Sequence, residues 1–210
     1  MSTQSPYANQ SRAKPRYDVE GRYQALLDAG ESLLCKDYEQ AHPKRVAQAA
    51  GVSVGLFYKR FNNKRELLTA VMVRRLEDLH QRIETAISEQ MSSEDALKLL
   101  IFETLTYFHR HEGLISLFFM EIGYGDTDST QQMKTARENY RRLLCSVLTR
   151  GIQQEEFVKL TPTELELTIS SIVGTINWTL YEVLVVKEGN IDPLSLKDSL
   201  MALFLRGLRL

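Results

Sequence analysis

The most distinctive stretch of the sequence for chemistry is a run from Gln40 to Arg65 that contains no acidic residue. It contains six basic residues, which are Lys44, Arg45, Lys59, Arg60, Lys64 and Arg65. A solvated helical surface normally mixes charges of both signs, whereas cations alone suit contact with the phosphates of a nucleic acid. A chance basic patch is the alternative interpretation. The pattern predicts a phosphate-facing surface in the first third of the chain.

Two short helices joined by a tight turn are predicted to carry these cations. Gly51 ends the first helix, because glycine takes a positive φ without steric cost. Ser53 is a good N-cap for the second helix, residues 54–61, because its hydroxyl can accept an unpaired amide proton. Phe57 and Phe61 are predicted to be buried, and the opposite side is bare or basic. Such a helix-turn-helix typically places its second helix in the DNA major groove.

The same stretch resembles the signature of the TetR family of bacterial transcriptional repressors. The matching residues are Val46, Ala47, Ala50, Gly51, Val52, Ser53, Gly55, Phe57, Tyr58, Phe61, Lys64 and Leu67. The resemblance implies an all-α fold of nine helices, with an N-terminal three-helix helix-turn-helix domain and a C-terminal helical ligand-binding and dimerisation domain. It also implies a repressor rather than an activator. It is silent about the identity of the ligand.

Composition and charge divide the chain into three predicted parts. Residues 1–17 are polar and cationic, which predicts a flexible basic arm that either lies in a minor groove or stays unbound. Residues 18–64 are predicted to form the helix-turn-helix domain, and the family resemblance implies that residues 65–210 form the ligand-binding and dimerisation domain. The first 65 residues hold eleven basic and six acidic side chains, although the net charge of the chain is −1. This asymmetry favours a nucleic-acid-binding module on a body that does not bind nucleic acid.

Capping residues predict where the helices begin and end. Asp18 is expected to cap the first helix, and Asp37 is expected to end it in the left-handed conformation that a glycine would usually take. Asn63 and Glu66 predict the start of a long fourth helix, reaching residue 90. Five more helices are predicted over residues 93–111, 113–123, 128–154, 162–188 and 193–208. Ser93, Thr161 with Glu164, and Asp192 are among their predicted caps.

The predicted DNA contacts divide into base readers and phosphate anchors. Gly55 lets the backbone approach the bases, Leu56 can meet a thymine methyl group, and Lys59 can reach guanine acceptors. Arg60 is predicted to contact either base edges or a phosphate. Tyr58 and Lys64 are predicted to anchor phosphates. The alternatives are that the Tyr58 ring is buried and that Leu56 packs against the body of the protein. The full predicted set is Lys44, Arg45, Ser53, Val54, Gly55, Leu56, Tyr58, Lys59, Arg60 and Lys64.

A small, mainly apolar inducer is predicted to bind inside residues 93–188, whose helices carry many aromatic residues among a few polar ones. The predicted lining is Phe102, Tyr107, Phe118, Phe119, Met120, Glu121, Asn177, Trp178 and Tyr181. If Glu121 lines the pocket, a cationic or hydroxylated ligand is favoured over an acid. For the aromatic residues, ordinary core positions are the alternative.

Residues 114–124 and 168–186 are too apolar for simple surface helices, so each must bury more than one face, and part of this apolar wall could instead surround a ligand. The helices predicted over residues 162–188 and 193–208 can face the core on one side and a twin subunit on the other. We expect them to form a homodimer interface, which would let two recognition helices read a palindromic site in double-stranded DNA. The fourth helix joins both predicted domains. We therefore expect it to transmit ligand binding to the DNA-binding helices.

The sequence gives little support to other functions. It contains no metal-binding, phosphate-loop or nucleophile motif, so neither an enzymatic activity nor a cofactor is expected. Cys35 and Cys145 fall in different helices and predict two structural thiols, with a redox pair as the alternative. No secretory signal and no apolar run long enough for a membrane is found, which predicts a cytoplasmic protein without membrane contact. The alternative function is a nucleoid or division factor of the same fold without small-molecule control.

Overall fold

The computed structural model describes residues 18–122 and 128–208, and the side chains of residues 121, 122 and 128–130 lie outside this description. The predicted basic arm, residues 1–17, also falls outside the described residues. The described part of the chain is all-helical, as predicted. Its nine α-helices are α1 (Val19–Lys36), α2 (Pro43–Ala49), α3 (Val54–Arg60), α4 (Lys64–Ala86), α5 (Ser93–Arg110), α6 (Gly113–Ile122), α7 (Asp128–Gln153), α8 (Pro162–Tyr181) and α9 (Pro193–Leu208).

The first three helices pack around a small apolar core. Leu26, Leu34, Val46 and Phe57 are buried from three different helices. Gly30 lies where α1 crosses α4, and a Cβ atom added there would come within 2.8 Å of the buried Leu67 side chain. The absence of a side chain at this position therefore lets α1 approach α4 closely.

The long helix α4 connects the first three helices to the rest of the protein. It packs against α1 on one side and against α5, α6 and α7 on the others. Its buried residues include Leu76, Leu79 and Ile83, which repeat at helical spacing and share one face. Any ligand that contacts this face therefore contacts the same helix that abuts α1.

Several predicted caps are confirmed. The Asp18 carboxylate accepts the amide proton of Gly21 at 2.8 Å. Thr161 and Glu164 form a reciprocal capping box at the start of α8. Asp192 accepts amide protons from the first turn of α9.

The prediction that Ser93 caps α5 is wrong, because the preceding serine takes that role. Ser92 Oγ accepts the amide proton of Asp95 at 3.0 Å. Ser93 is buried, and its own amide donates to the carboxylate of Glu156 at 2.8 Å. A long-range contact of this kind leaves no trace in the local sequence.

Two further expectations about helix ends are corrected. Asp37 has φ −162° and ψ 101°, so the backbone at the end of α1 is extended rather than left-handed. The Asp37 carboxylate instead accepts the amide proton of Gln40 at 3.1 Å and shapes the turn that follows. The fourth helix ends at Ala86, four residues earlier than predicted.

One helical segment, Pro162–Val186, is long and apolar enough to cross a membrane by length and composition, and an 18-residue stretch within it has a mean hydropathy of 1.4. The expectation that no apolar run has this length is therefore wrong. Only 22% of that 18-residue stretch is buried, and the segment combines α8 with a π-helical turn at Glu182–Val186. A helix that packs against the core on one face and against another protein on a second face has the same composition. The segment alone is thus a weak indication of a membrane span.

Candidate nucleic-acid interface and ligand cavity

The turn between α2 and α3 has the local geometry that the sequence predicts. Gly51 adopts φ +65°, the left-handed conformation in which a side chain would be strained. Ser53 Oγ then accepts the amide proton of Leu56 at 3.2 Å and starts α3. Phe57 anchors the helix in the core, since its side chain is fully buried. The two short helices are thereby held in a fixed orientation.

The outer face of α3 is accessible along its length. Gly55, Lys59 and Arg60 are exposed, whereas Leu56 is half-buried. Tyr58 is 55% exposed, which contradicts the alternative that its ring is buried. A phenol in this position can donate a hydrogen bond to a phosphate oxygen.

The flanking cations are placed differently from one another. Lys44 and Arg45 are exposed in the first turn of α2, and the Arg45 guanidinium donates to the side-chain oxygen of Gln40 at 2.9 Å. On α3, Arg60 lies 5.7 Å from the centre of the Tyr23 ring. These three cations and Lys59 are all exposed on α2 and α3.

Lys64 has partners within the protein. Its ammonium group donates to the Tyr38 carbonyl oxygen at 2.8 Å and lies 4.0 Å from the centre of the Tyr38 ring. The side chain is only 19% exposed. These contacts explain a cation at the positively polarised start of α4, where the helix dipole alone would disfavour it. They fix the loop between α1 and α2 against α4.

Further along α4 from Lys64, an ionic cluster joins α4 to α1. Arg75 donates to both carboxylate oxygens of Glu31, at 2.6 and 2.8 Å. Arg74 bridges Asp28 at 2.7 Å and Glu31 at 2.9 Å. The sequence analysis missed this cluster, because its partners are more than forty residues apart. It ties the helix-turn-helix to the helix that continues into the second half of the protein.

A mainly apolar cavity of about 70 Å³ lies between α4, α5, α6, α7 and α8. Its apolar wall includes Leu76 and Leu79 of α4. The complete lining is Leu76, Leu79, Thr104, Phe108, Phe118, Arg137, Tyr140, Arg141, Val173 and Asn177. The cavity therefore reaches the helix that carries the link to α1.

Two of the nine predicted ligand residues, Phe118 and Asn177, line this cavity. Phe102 instead faces α9, where its ring lies 5.9 Å from the Lys197 ammonium group. The Tyr107 and His111 rings are tilted against each other with their centres 4.9 Å apart, at the junction of α5 and α6.

The remaining predicted residues lie on α6 and α8. Phe119, Trp178 and Tyr181 form an aromatic cluster with ring centres 4.5 to 6.2 Å apart. Met120 packs against the core without lining the cavity. The side chain of Glu121 lies outside the described residues. The preference for a cationic or hydroxylated ligand over an acid, which depended on Glu121, stays a prediction that the described residues do not test.

The buried polar groups of the cavity are satisfied by one another. The Tyr140 hydroxyl lies 2.8 Å from Thr104 Oγ1, and the Thr104 hydroxyl donates to the Leu100 carbonyl at 2.8 Å. Since the Thr104 proton is used in this way, Tyr140 is the donor of the pair. Burial raises the pKa of Tyr140 to about 12, so the phenol is neutral at physiological pH.

Two arginines of α7 at the cavity were missed by the sequence analysis. Arg137 lies with its guanidinium carbon 5.8 Å from the centre of the Phe118 ring. Arg141 donates to the Glu166 carboxylate of α8 at 2.8 Å. Partial burial, reinforced by the charge of Arg141, holds the pKa of Arg137 below its usual range. The only local signal is the spacing of four residues, which places both arginines on one face of a helix.

An apolar groove runs between α8 and α9. Leu167 of α8 is 62% exposed and Leu203 of α9 is 54% exposed, and both line this groove. Large apolar side chains exposed on both sides of a groove indicate a protein-contacting surface. These are the two helices in which the sequence predicts a dimer interface.

The structure offers no support for metal chemistry in the part of the chain that it describes. No group of three or more histidine, cysteine, aspartate or glutamate side chains within residues 18–120 and 131–208 could hold a metal ion. Cys35 and Cys145 are both free and half-buried. Burial, with a smaller contribution from Glu31, raises the pKa of Cys35 to about 11. This thiol is therefore a poor nucleophile at neutral pH.

Comparison with known proteins assigns both halves of the chain. Residues 26–71 match the family model described as "Bacterial regulatory proteins, tetR family", and these residues include the helix-turn-helix. Residues 90–208 match the model described as "Tetracyclin repressor-like, C-terminal domain". The second match alone spans more than half of the chain.

Individual relatives agree over almost the whole length. The fatty acid metabolism regulator protein of Bacillus subtilis is 24% identical over 188 residues, which is 89% of this chain and 95% of that protein. The fatty acid degradation regulator FadR from Bacillus halodurans superimposes with a TM-score of 0.76 at 25% identity, covering 89% of this chain and all of the other. FadR from Bacillus subtilis, solved in complex with stearoyl-CoA, superimposes with a TM-score of 0.77 at 24% identity. This match covers 88% of this chain and 98% of the other. The chain thus belongs to the TetR family and is a DNA-binding transcriptional regulator.

Proposed function

We propose that this protein is a cytoplasmic, dimeric repressor that leaves a palindromic operator when an acyl-coenzyme A ligand binds in the α4–α8 cavity. The observation that carries the proposal is the position of Leu76 and Leu79. Both line the cavity, and both belong to the helix whose Arg74 and Arg75 hold α1. A ligand at this wall therefore acts directly on the element that positions the DNA-binding helices.

An acyl chain is the guest that the cavity chemistry supports best. The wall is built mainly from leucine, phenylalanine and valine side chains, and its buried Thr104 and Tyr140 already satisfy each other. The relatives named for fatty acid metabolism and degradation, one of them holding stearoyl-CoA, support the same class. We extend this ligand class to the present chain.

The size of the cavity supports a change of shape on binding. Its volume of about 70 Å³ is far below the roughly 300–1,000 Å³ of ordinary small-molecule pockets. A long acyl chain can enter only if the surrounding helices separate. Because α4 forms one wall, separation shifts α4 relative to its neighbours, and the ligand favours the shifted arrangement.

DNA contact is assigned to the exposed side of α2 and α3. We propose that Gly55, Leu56 and Lys59 approach base edges and that Tyr58 meets a phosphate. We further propose that Lys44, Arg45 and Lys64 contact phosphates and that Arg60 contacts either a base edge or a phosphate. Ser53 and Val54 complete the proposed DNA-contacting set. One recognition helix covers only a few base pairs, so two copies must read half-sites separated by about one helical turn or a multiple of it. The apolar α8–α9 groove supplies the surface through which we expect two copies to pair.

A two-step experiment tests this function. Nuclease protection of promoter fragments, starting with the DNA beside the protein's own gene, first identifies an operator. Stearoyl-CoA is then titrated into the protein–operator complex, with coenzyme A alone as the matched control. We expect release by the thioester and none by coenzyme A. A protein–operator complex that survives saturating stearoyl-CoA, and also acyl-coenzyme A thioesters of other chain lengths, overturns the inducer model.

The alternative of a nucleoid or division factor makes the opposite prediction in that experiment. Such a factor binds DNA regardless of ligand, and its protected sites are many and weakly related in sequence. The named relatives are metabolic regulators, which does not favour this alternative. For the same reason we propose no catalytic step for this chain.

A further inference from the structure

Two cations mark the open end of the cavity. Arg137 and Arg141 stand one helical turn apart on α7 and both line the cavity. Arg137 is also exposed to solvent, so it lies where the cavity meets the surface. Among the described residues, Arg137 makes a ring contact with Phe118, but no carboxylate forms an ion pair with it.

The two arginines are not equivalent. Arg141 is bound across the helix interface, where its guanidinium donates to Glu166 at 2.8 Å and reaches Ser170 Oγ at 3.4–3.5 Å. Glu166 and Ser170 share a stripe of α8 with Val173 and Asn177, which line the cavity. The Glu166 carboxylate is thus an anion held beside the cavity by one of its two cations.

Such a site favours an anionic group. Two guanidinium groups four residues apart on a helix repel each other, and this repulsion is relieved when an anion lies between them. Guanidinium groups bind carboxylate and phosphate oxygens through strong, charge-assisted hydrogen bonds. The leucine and phenylalanine wall beyond them accepts an apolar chain. The two guanidinium groups and the apolar wall together fit an amphiphile with an anionic head and an acyl tail.

We propose that Arg137 and Arg141 form the head-group site of the ligand and that Glu166 is a built-in competitor for it. This inference rests on the proposed function, which it deepens by naming the recognised charge and the contact that the ligand breaks. When a ligand anion replaces Glu166 on Arg141, the ionic link between α7 and α8 is lost. That loss frees the two helices to separate and admit the tail.

The same chemistry can come from two sources, which are the carboxylate of a free fatty acid and the phosphates of a coenzyme A thioester. Both present oxygen anions to guanidinium groups. The experiment therefore compares stearic acid, stearoyl-CoA and the uncharged stearamide, which have the same chain length. Each is used below its critical micelle concentration.

Binding is measured on the DNA-free protein through the fluorescence of Trp178, which is the only tryptophan in the chain and adjoins Asn177 of the cavity. We expect stearoyl-CoA or stearic acid to bind at least about tenfold more tightly than stearamide. Arg137→Gln and Arg141→Gln should each weaken the anionic ligand by about tenfold. Arg142→Gln is the matched control, because this exposed neighbour lies outside the cavity, and it should change nothing.

The competitor role has its own signature. Glu166→Gln should tighten binding of the anionic ligand about two- to fivefold in the natural background. It should have no effect in Arg141→Gln, because the competition is then absent. An equal gain in both backgrounds overturns the competitor role.

The inference and the proposed function fail in different ways. Equal affinity for stearamide, an unchanged affinity in both arginine variants, or no binding of either anionic ligand overturns the head-group site. Arginine-dependent binding to the free protein without any release of operator DNA leaves the head-group site standing. In that case it is the inducer model that falls.

Discussion

Arg75 of α4 holds Glu31 of α1 through two hydrogen bonds, at 2.6 and 2.8 Å from the two carboxylate oxygens. The Glu31 side chain is only 13% exposed, so this joint is shielded from water. Arg74 holds the same carboxylate at 2.9 Å. The three side chains form the ionic part of the contact through which α4 carries the helix-turn-helix.

Replacing Glu31 by glutamine should destabilise the protein. The change leaves two partly buried guanidinium groups without their shared anion. We expect a loss of about 2–3 kcal/mol, slightly below the ~3–5 kcal/mol of fully buried pairs, because the arginines retain some exposure. For a chain of this size, that loss lowers the Tm by about 5–10 °C.

Thermal unfolding, with and without operator DNA, measures the loss of stability caused by this change. Glu39→Gln is the matched control, because its carboxylate is 87% exposed and lies 3.9 Å from its partner ammonium. That control should change the Tm by no more than about 1–2 °C. We also expect the acyl ligand to release operator less effectively from Glu31→Gln, since α4 is then less firmly joined to α1. An unchanged Tm and unchanged release would contradict the role of the joint.

The raised pKa of Cys35 predicts a loss of stability at alkaline pH. A thiol whose pKa is about 11 when folded and about 9 when unfolded stays protonated longer in the native protein. Its contribution is therefore complete below about pH 9 and disappears as the pH rises through 11. Because the thiol is partly exposed, we expect a loss of at most about 2 kcal/mol.

Urea unfolding of the natural protein and of Cys35→Ala, at pH 8 and at pH 11, isolates this contribution. The natural protein should lose more stability than the variant between the two pH values. Equal losses would show that the thiol does not contribute. Alkylation by iodoacetamide should also be slow at Cys35 near pH 7.5 and increase steeply towards pH 11.

The helix-turn-helix could be predicted from the sequence because its signals are local. A glycine for a positive φ, a serine cap and two aromatic residues four apart lie within eleven positions of one another. Each acts on neighbours a few residues away, so the Ser53 cap and the Gly51 turn need no knowledge of the rest of the chain. The same holds for the Thr161–Glu164 capping box.

The ligand cavity could not be predicted in the same way, because it is bounded by five helices. On α5, Phe102 faces α9 and Tyr107 lies beside His111, whereas Thr104 and Phe108 face the cavity. The three aromatic residues look similar in the sequence, and only the packing of α5 among α4, α7, α8 and α9 decides which of them faces the cavity. The relevant arginines on α7 read as ordinary surface residues until α8 is placed beside them.

Lys59 and Lys64 should respond differently to removal of their charge. Lys59 is exposed on the outer face of α3, and Lys59→Ala should change which operator variants are preferred. If Lys64 contacts a phosphate, Lys64→Ala should weaken all operator variants about equally. It should also reduce the slope of log affinity against log salt by about one.

Fluorescence anisotropy on a panel of operator variants, at several salt concentrations, separates the two roles. For Lys59→Ala, a uniform loss with an unchanged order of preference would rule out base reading. For Lys64→Ala, a lower Tm with an unchanged salt slope would restrict its role to the Tyr38 contact. Tyr58→Phe completes the set, because it removes a single phosphate donor and leaves the ring.

Placing a charge in the α8–α9 groove should dissociate the protein and weaken operator binding. Leu167 is among the most exposed large apolar residues of the described chain, and Leu167→Asp would bury an unpaired carboxylate if two copies pair there. We expect a change from dimer to monomer by light scattering at micromolar concentration. Operator affinity should fall by at least about tenfold, because each monomer holds only one half-site.

Val19→Asp is the matched control, since Val19 is similarly exposed on α1, away from the groove. The mass of the Val19→Asp variant in solution should equal that of the natural protein. A dimeric Leu167→Asp, or a monomeric natural protein with full operator affinity, would show that the groove is not the dimer interface.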